Sequence, residues 1–218
     1  ATSIGVASHK GADGRASHLL RNADTALYVA KSRGRGAVVN YQPKMSAAVL
    51  ARFQQENQLR QGIQEGAFEL CYQPVFDLNS NQIVSIEAAL QWPNLDRGGL
   101  TSADIYALAE STGLSAHLGE VALHLACRDL ANWQKMLETD LPVLSIKLLS
   151  KQLRDAALAS RVLATLQEHD ITSDRLEFVI DEPVLTFEES YARSVLHELR
   201  AAGLGLMLDS VGSGHGTL

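Results

Sequence analysis

Apolar and polar positions follow two rhythms along this chain. From residue 66 onward, short runs rich in branched apolar side chains alternate with longer stretches whose apolar positions recur every three or four residues. The first rhythm predicts strands and the second amphipathic helices. The predicted strands are Glu69–Phe76, Ile83–Gln91, Val143–Leu148, Leu176–Asp181 and Leu204–Asp209. The predicted helices are Ser102–Ser111, Leu118–Met136, Leu153–His169 and Ser190–Ala202. The first two strands flank Asn79-Ser80-Asn81, which reads as a hairpin turn. Beyond it the order β-α-β-α-β predicts a parallel sheet or barrel.

The first 43 residues make a smaller β-α-β pattern. A β-rich run, Thr2 to Val6, precedes a polar Gly/Ser/His stretch to Ser17. His18 to Ser32 reads as a helix through Leu19, Leu20, Ala23, Leu27 and Ala30, ended by Gly34 and Gly36. Val38 to Tyr41 reads as a strand, and Pro43 closes the unit. Residues 44–65 read as a connecting helix: Met45, Val49 and Phe53 step by four, and Leu59 and Ile63 continue after a slip. A β-α-β piece this small is below the size that folds alone without staples. The chain opens without an initiator methionine and closes on a glycine-rich turn (Gly212, Gly214, Gly216) before Leu218. These features predict a fragment of a longer protein.

Composition narrows the function classes. With 218 residues, 46% hydrophobic and 20% charged, the chain is ordinary globular material able to bury a sizeable core. A net charge of -6 gives no pull toward nucleic acid. No apolar run approaches the roughly 18 residues of a membrane helix. No charged segment followed by an apolar one opens the chain, so the expected location is the cytoplasm, as such or as the cytoplasmic part of a larger sensor. Cys71 and Cys127 can form neither a disulfide framework nor a cysteine zinc site, and are expected as two reduced, half-buried thiols.

In a parallel α/β layout, chemistry gathers at the carboxyl ends of the strands. There the sequence puts Glu87, Lys147, Glu177, the pair Asp181-Glu182, and Asp209-Ser210 followed by Gly212-Ser213-Gly214. Acidic strand ends followed by a glycine turn suit a metal or phosphate, because the turn lets backbone N–H groups approach a ligand closely. Among the seven histidines, His117 and His124 lie two helical turns apart, too wide to share a metal. No nucleophile elbow and no P-loop are present.

Arg21 through Arg35, with Ser3-Ile4-Gly5-Val6-Ala7 before it, resembles the closing helix and preceding strand of a GGDEF diguanylate cyclase domain. Lys31 and Arg35 match family positions that touch the GTP phosphates, but the signature loop would lie upstream of residue 1. The remainder resembles an EAL domain, the bacterial cyclic-di-GMP phosphodiesterase module. The matching segments are Cys71-Tyr72-Gln73-Pro74, Ala109 through Leu114, Leu118-Gly119, Ala126-Cys127, Trp133, Ser145 to Leu153, Leu176 to Glu182 and the turn Asp209 to Gly214. The resemblance implies a (β/α) barrel with its first strand antiparallel, preceded by a linker helix and a small α/β GGDEF fragment. The implied domains are 1–43, 44–65 and 66–218. A barrel of this type takes about 250 residues. The last strands are therefore expected to be missing, leaving an unpaired edge for a strand from another chain or from absent residues.

The departures bear on activity. The Glu-Ala-Leu motif reads Glu87-Ala88-Ala89, and the arginine that contacts phosphate reads Gln91. The strand-three asparagine ligand is Lys147, the strand-four glutamate ligand is Val179, and the second aspartate of the strand-five pair is Ser210. Hydrolysis by this module needs Mg²⁺ or Mn²⁺ to activate water, and such ions want about six oxygen ligands. Of the family's metal positions in this chain, Glu87 and Asp209 keep an oxygen. Lys147 is expected to stand in for the metal and pair with Glu87 or Asp209. The resemblance therefore implies a non-catalytic module with no cofactor, serving as a cyclic-di-GMP receptor or protein-interaction domain and open to homo-oligomer formation. Its ligand candidates are Gln73, Glu87, Ala88, Ala89, Gln91 and Asp209. The alternative is an Mg²⁺- or Mn²⁺-dependent phosphodiesterase whose missing groups lie outside this chain.

Overall fold

A computed structural model of the chain describes residues 2–8, 16–32, 36–93, 100–137, 142–182 and 191–209. They divide into two compact units, residues 1–61 and 62–218. In the first, β1 (Ile4–Val6) pairs in parallel with β2 (Val38–Asn40), and α1 (Ala16–Ser32) joins them. The helix lies directly on the strand at Gly5, where a Cβ would come within 2.2 Å of both the Ala23 carbonyl oxygen and the Leu27 nitrogen. Ala26, Ala30, Val39 and Met45 form the small core.

The long helix α2 (Pro43–Glu65) begins with proline in its first turn, where the missing N–H costs nothing. The boundary between the two units falls inside it. Its apolar positions do not share one face as the four-residue steps suggest. Met45 and Leu59 are buried, but Phe53 is 57% exposed. Each four-residue step overshoots a helical turn, so the row drifts around the axis.

The second unit is built on a five-stranded sheet in the order β3-β4-β5-β6-β7. β3 (Glu69–Phe76) runs antiparallel to β4 (Ile83–Gln91). β5 (Val143–Lys147), β6 (Leu176–Asp181) and β7 (Gly205–Asp209) continue in parallel. The hairpin turn is organised by Asp77, whose Oδ1 accepts the N–H groups of Asn79 and Ser80 at 3.1 and 2.7 Å. Among the described residues the sheet ends at β3 and β7 and does not close into a barrel.

Helices α3 (Ser102–Thr112), α4 (Ser115–Met136), α5 (Leu158–Glu168) and α6 (Tyr191–Ala201) fill the crossovers. The predicted helix over 153–169 is instead two pieces, a 3-10 turn (Ser150–Arg154) and then α5. Asp155 makes the break. Its carboxylate accepts the Ala157 N–H at 2.9 Å and pairs with Arg161, so the chain stops one helix and caps the next.

Period-two alternation gives the sheet two unlike faces. Leu144, Ile146, Leu176, Phe178 and Ile180 enter the main core with Leu123, Ala126, Leu130, Val162, Leu166 and Leu199 from the helices. Ser145, Lys147, Glu177, Val179 and Asp181 stand on the other face. Gly119 lets the 3-10 turn seat against α4: a Cβ there would meet the Gln152 side chain at 2.1 Å. Gln152 is buried, and its Oε1 accepts the Leu149 N–H at 2.9 Å.

Both cysteines are free thiols, but only Cys71 is half-buried. Cys127 is fully buried in the main core. Among the described residues, no helix is long and apolar enough to cross a membrane.

Candidate functional site

Strand register arranges the polar face in rows. Gln73, Glu87, Ser145, Glu177 and Gly205 are successive partners across β3 to β7. Within this row the Ser145 hydroxyl donates to Glu177 Oε1 at 2.7 Å. The Glu177 side chain lies over Gly205, where a Cβ would come within 2.9 Å of it. The next row toward the strand ends holds Lys147, Val179 and Met207, and beyond it stand Asp181 and Asp209.

Lys147 reaches forward from its row. Its ammonium pairs with Asp181 and lies 3.3 Å from Asp209 Oδ2. The lysine side chain is 19% exposed, against 42% and 53% for the two aspartates. Asp209 is one of the two partners anticipated from sequence. The second is Asp181 in place of Glu87, because register puts Glu87 in the row behind while Lys147 extends toward the strand ends.

A pocket of about 450 Å³ opens over these strand ends. Glu87, Ala88, Ala89, Lys147, Val179 and Asp209 all line it. Gln73 and Gln91 do not: Gln73 is exposed beside Glu87, and Gln91 is exposed at the end of β4, paired with Glu69. Arg35, Ser210 and Gly212-Ser213-Gly214 lie outside the described residues.

The opposite wall comes from α3, through Ser102, Ala103, Tyr106, Ala107 and Glu110. These positions share one helical face. A capping box fixes the start of α3: Thr101 Oγ1 accepts the Asp104 N–H at 3.2 Å, and Asp104 accepts the Thr101 N–H at 3.0 Å. The hydrogen bonds from Thr101, side chain first and then backbone, hold the Asp104 carboxyl below its usual range. Ser102 Oγ donates to the Leu90 carbonyl at 2.7 Å, tying α3 to β4. Burial pushes the Tyr106 phenol up to about 12, so it enters the pocket as a neutral hydroxyl. Glu110 accepts the Ser150 hydroxyl at 2.9 Å.

Sequence reading alone did not single out Tyr106 or Glu110 as site residues. The small residues at the intervening turns of α3 were the available signal, because they leave room for a cavity. The pocket carries four carboxylates (Glu87, Glu110, Asp181 and Asp209) and one ammonium (Lys147). Chemically it is an oxygen-rich mouth with a built-in cation.

The EAL domain profile matches residues 56–218. The chain belongs to the EAL domain family. It is 30% identical over 217 residues to the bifunctional diguanylate cyclase/cyclic di-GMP phosphodiesterase MucR of Pseudomonas aeruginosa, covering 99% of this chain and 31% of that protein. An uncharacterized protein, y4lL of Sinorhizobium fredii, is 34% identical over 215 residues, 99% of this chain and 25% of that protein. The chain thus spans about a quarter to a third of these relatives. Among solved structures, the MucR phosphodiesterase in complex with c-di-GMP superposes with a TM-score of 0.69 at 27% identity, covering 75% of this chain and 66% of that one. The c-di-GMP-bound S helix-GGDEF-EAL structure of Vibrio cholerae LapD shares the fold, with a TM-score of 0.63 at 20% identity, covering 99% of this chain and 51% of that one. This EAL chain therefore has the α/β sheet-and-helix fold of its family and belongs among proteins of cyclic-di-GMP signalling.

Proposed function

We propose that this chain is a non-hydrolytic EAL module, a receptor or protein-interaction part of a cytoplasmic cyclic-di-GMP signalling protein. One observation carries the reading: the Lys147 ammonium sits against Asp181 and Asp209 at the strand ends. A divalent cation does not fit the same place. It would have to displace the ammonium, and its neighbour in the row, Val179, offers no ligand atom. At an effective dielectric of 20, unit charges about 4 Å apart repel by about 4 kcal/mol, and a dication by about twice that. With its own cation in place, the module holds the strand ends together without a metal.

The same charges set the terms for a nucleotide. Its phosphates meet four carboxylates against one ammonium, and Gln91 adds no charge. Binding would therefore draw on stacking and hydrogen bonds from Tyr106, Ser102 and the backbone rather than on charge. Residues 1–43 are read as the end of a GGDEF domain, a reading supported by their β-α-β order and by the extent of the fold match to LapD.

The deciding experiment is calorimetric titration with cyclic-di-GMP, with and without Mg²⁺ or Mn²⁺, followed by chromatography for the linear product. Metal-independent binding without product supports a receptor, and no binding supports an interaction module. Metal-dependent product overturns the proposal. It would support the second reading, a phosphodiesterase completed from outside this chain, which the carboxylates of Glu87, Asp181 and Asp209 favour as oxygen donors.

A further inference from the structure

A second group of ligand-type side chains lies away from the pocket, between α4 and the end of α5. His124 is exposed on α4, Glu168 is the last residue of α5, and His169 caps that helix. One ligand atom from each lies within 4.8 Å of the other two. The two imidazoles meet edge to face, with ring centroids 6.4 Å apart and planes at 68°. Chain spacing gives no hint of this meeting, because packing of α4 against α5 creates it. His124 meets His169 here, not His117 two turns away on its own helix.

We infer that His124, Glu168 and His169 form a surface site for a borderline divalent transition-metal ion of the Zn²⁺ class, with water completing the coordination. Two imidazoles and one carboxylate are a common zinc donor set, and nitrogen ligands select Zn²⁺, Ni²⁺ or Cu²⁺ over Mg²⁺. Around tetrahedral zinc, ligand atoms about 2.0–2.1 Å from the ion lie about 3.4 Å from one another. The donors must therefore draw in by about 1.4 Å at most, a movement open to the exposed side chains of His124 and Glu168.

Two features of the fold favour a cation here. The carbonyl end of α5 points at the site: the helix stops at Glu168, and Asp170 turns the chain away with φ 57°. A helix C-terminus carries partial negative charge. The scaffold is also firm, since Leu123, Ala126 and Cys127 of α4 share a core with Val162 and Leu166 of α5. Cys127 lies one turn from His124 but is wholly buried, and burial, then the charge of Glu168, pushes its thiol up to about 12. It is a packing residue, not a fourth ligand. A bound ion would cross-link α4 to the connection that leads into β6.

The test is a competition titration of the untagged, chelator-stripped full chain with Zn²⁺ against a chromophoric chelator, repeated with Co²⁺ to read coordination from its visible spectrum. The expected result is one ion per chain, unaffected by excess Mg²⁺. The Co²⁺ spectrum should be tetrahedral, with no thiolate charge-transfer band. Affinity should fall roughly tenfold or more in both His124→Ala and His169→Ala, and hold in His197→Ala, an exposed histidine of α6. His124→Gln provides a second exposed, non-disruptive variant, and circular dichroism confirms that each variant is folded. Absence of stoichiometric binding, binding undiminished in the folded His124 variants, or a thiolate band would each overturn the inference.

Discussion

If Lys147 is the site's resident cation, replacing it should expose a hidden appetite for metal. Lys147→Asn is the sharpest perturbation, because it removes the ammonium and leaves an amide oxygen on β5, one row behind Asp181 and Asp209. The gross attraction between unit charges 3.3 Å apart is about 5 kcal/mol at an effective dielectric of 20. Both aspartates are substantially exposed, at 42% and 53%, so water screens most of that value. The net loss on substitution should be about 1–2 kcal/mol, between the exposed and buried limits. For a unit of this size that corresponds to a fall in Tm of roughly 2–8 °C in EDTA.

Mn²⁺ should then separate the two proteins. Free metal at about 100 times its dissociation constant adds about 2.7 kcal/mol to a protein that binds it at one site. The variant's melting temperature should therefore recover to or above the parent's value, while the parent should not move. Differential scanning calorimetry in EDTA and in Mn²⁺, run on both proteins, reads this directly. To keep the zinc-class site out of the measurement, both proteins should also carry His124→Ala. Equal Mn²⁺ stabilisation of parent and variant would refute the reasoning, because the ammonium would then not be blocking the cation. An Asn variant that matched the parent's stability in EDTA would refute the ion-pair magnitude.

Other positions test the frame around the pocket. Gly119→Ala should cost about 1–3 kcal/mol in denaturant unfolding, because the new methyl would push the buried Gln152 off the Leu149 N–H that it caps. Thr101→Ala should loosen the start of α3 by about 1 kcal/mol and raise hydrogen exchange in its first turn. The carboxyls of Asp77, Asp104 and Asp155 all titrate below their usual value, through hydrogen bonds from Ser80, from Thr101, and from Ala157 with Arg161. A depressed folded-state value contributes stability that is present above the unfolded value near 3.8 and is lost as pH falls through the lower folded value. Urea midpoints should accordingly stay flat from neutral pH down to about 5 with respect to these groups and decline below about 4. Asp155→Asn should flatten part of that decline.

The pattern of apolar residues located the sheet well, and for a physical reason. Leu176–Asp181, buried between parallel neighbours, reads as a compact apolar run, and the antiparallel strands Glu69–Phe76 and Ile83–Gln91 are bounded by the polar turn between them; all three have the same bounds in sequence and structure. Periodicity predicts one helix over 153–169 because it carries no sign of the Asp155 cap, which competes with the helix through a side-chain hydrogen bond. Phe53 steps by four from Met45 and Val49 yet is exposed, because a row of apolar residues in a long helix does not ensure that anything covers it. At the site, residues on one strand were legible and meetings between strands were only half so. Lys147 and Asp209 could be paired through family positions, whereas Asp181 became its partner through the ladder that sets it opposite Asp209.

The proposed reading gives that lysine a physical role. Carboxylates gathered at the ends of parallel strands repel one another, and a nearby positive charge relieves that repulsion. A metal does this when enough oxygen ligands surround it. Once Val179 supplies none, an ion held by the remaining carboxylates would be weakly retained, and the strand ends would depend on its supply. A lysine on the central strand β5, long enough to reach Asp181 on β6 and Asp209 on β7, sets one positive charge of the chain's own against these two carboxylates. Ser145 and Glu177 satisfy the row behind through their own hydrogen bond, and Gly205 leaves room for it. Under the proposed reading, such a pocket suits a module that senses or docks, and its stability should not depend on a metal.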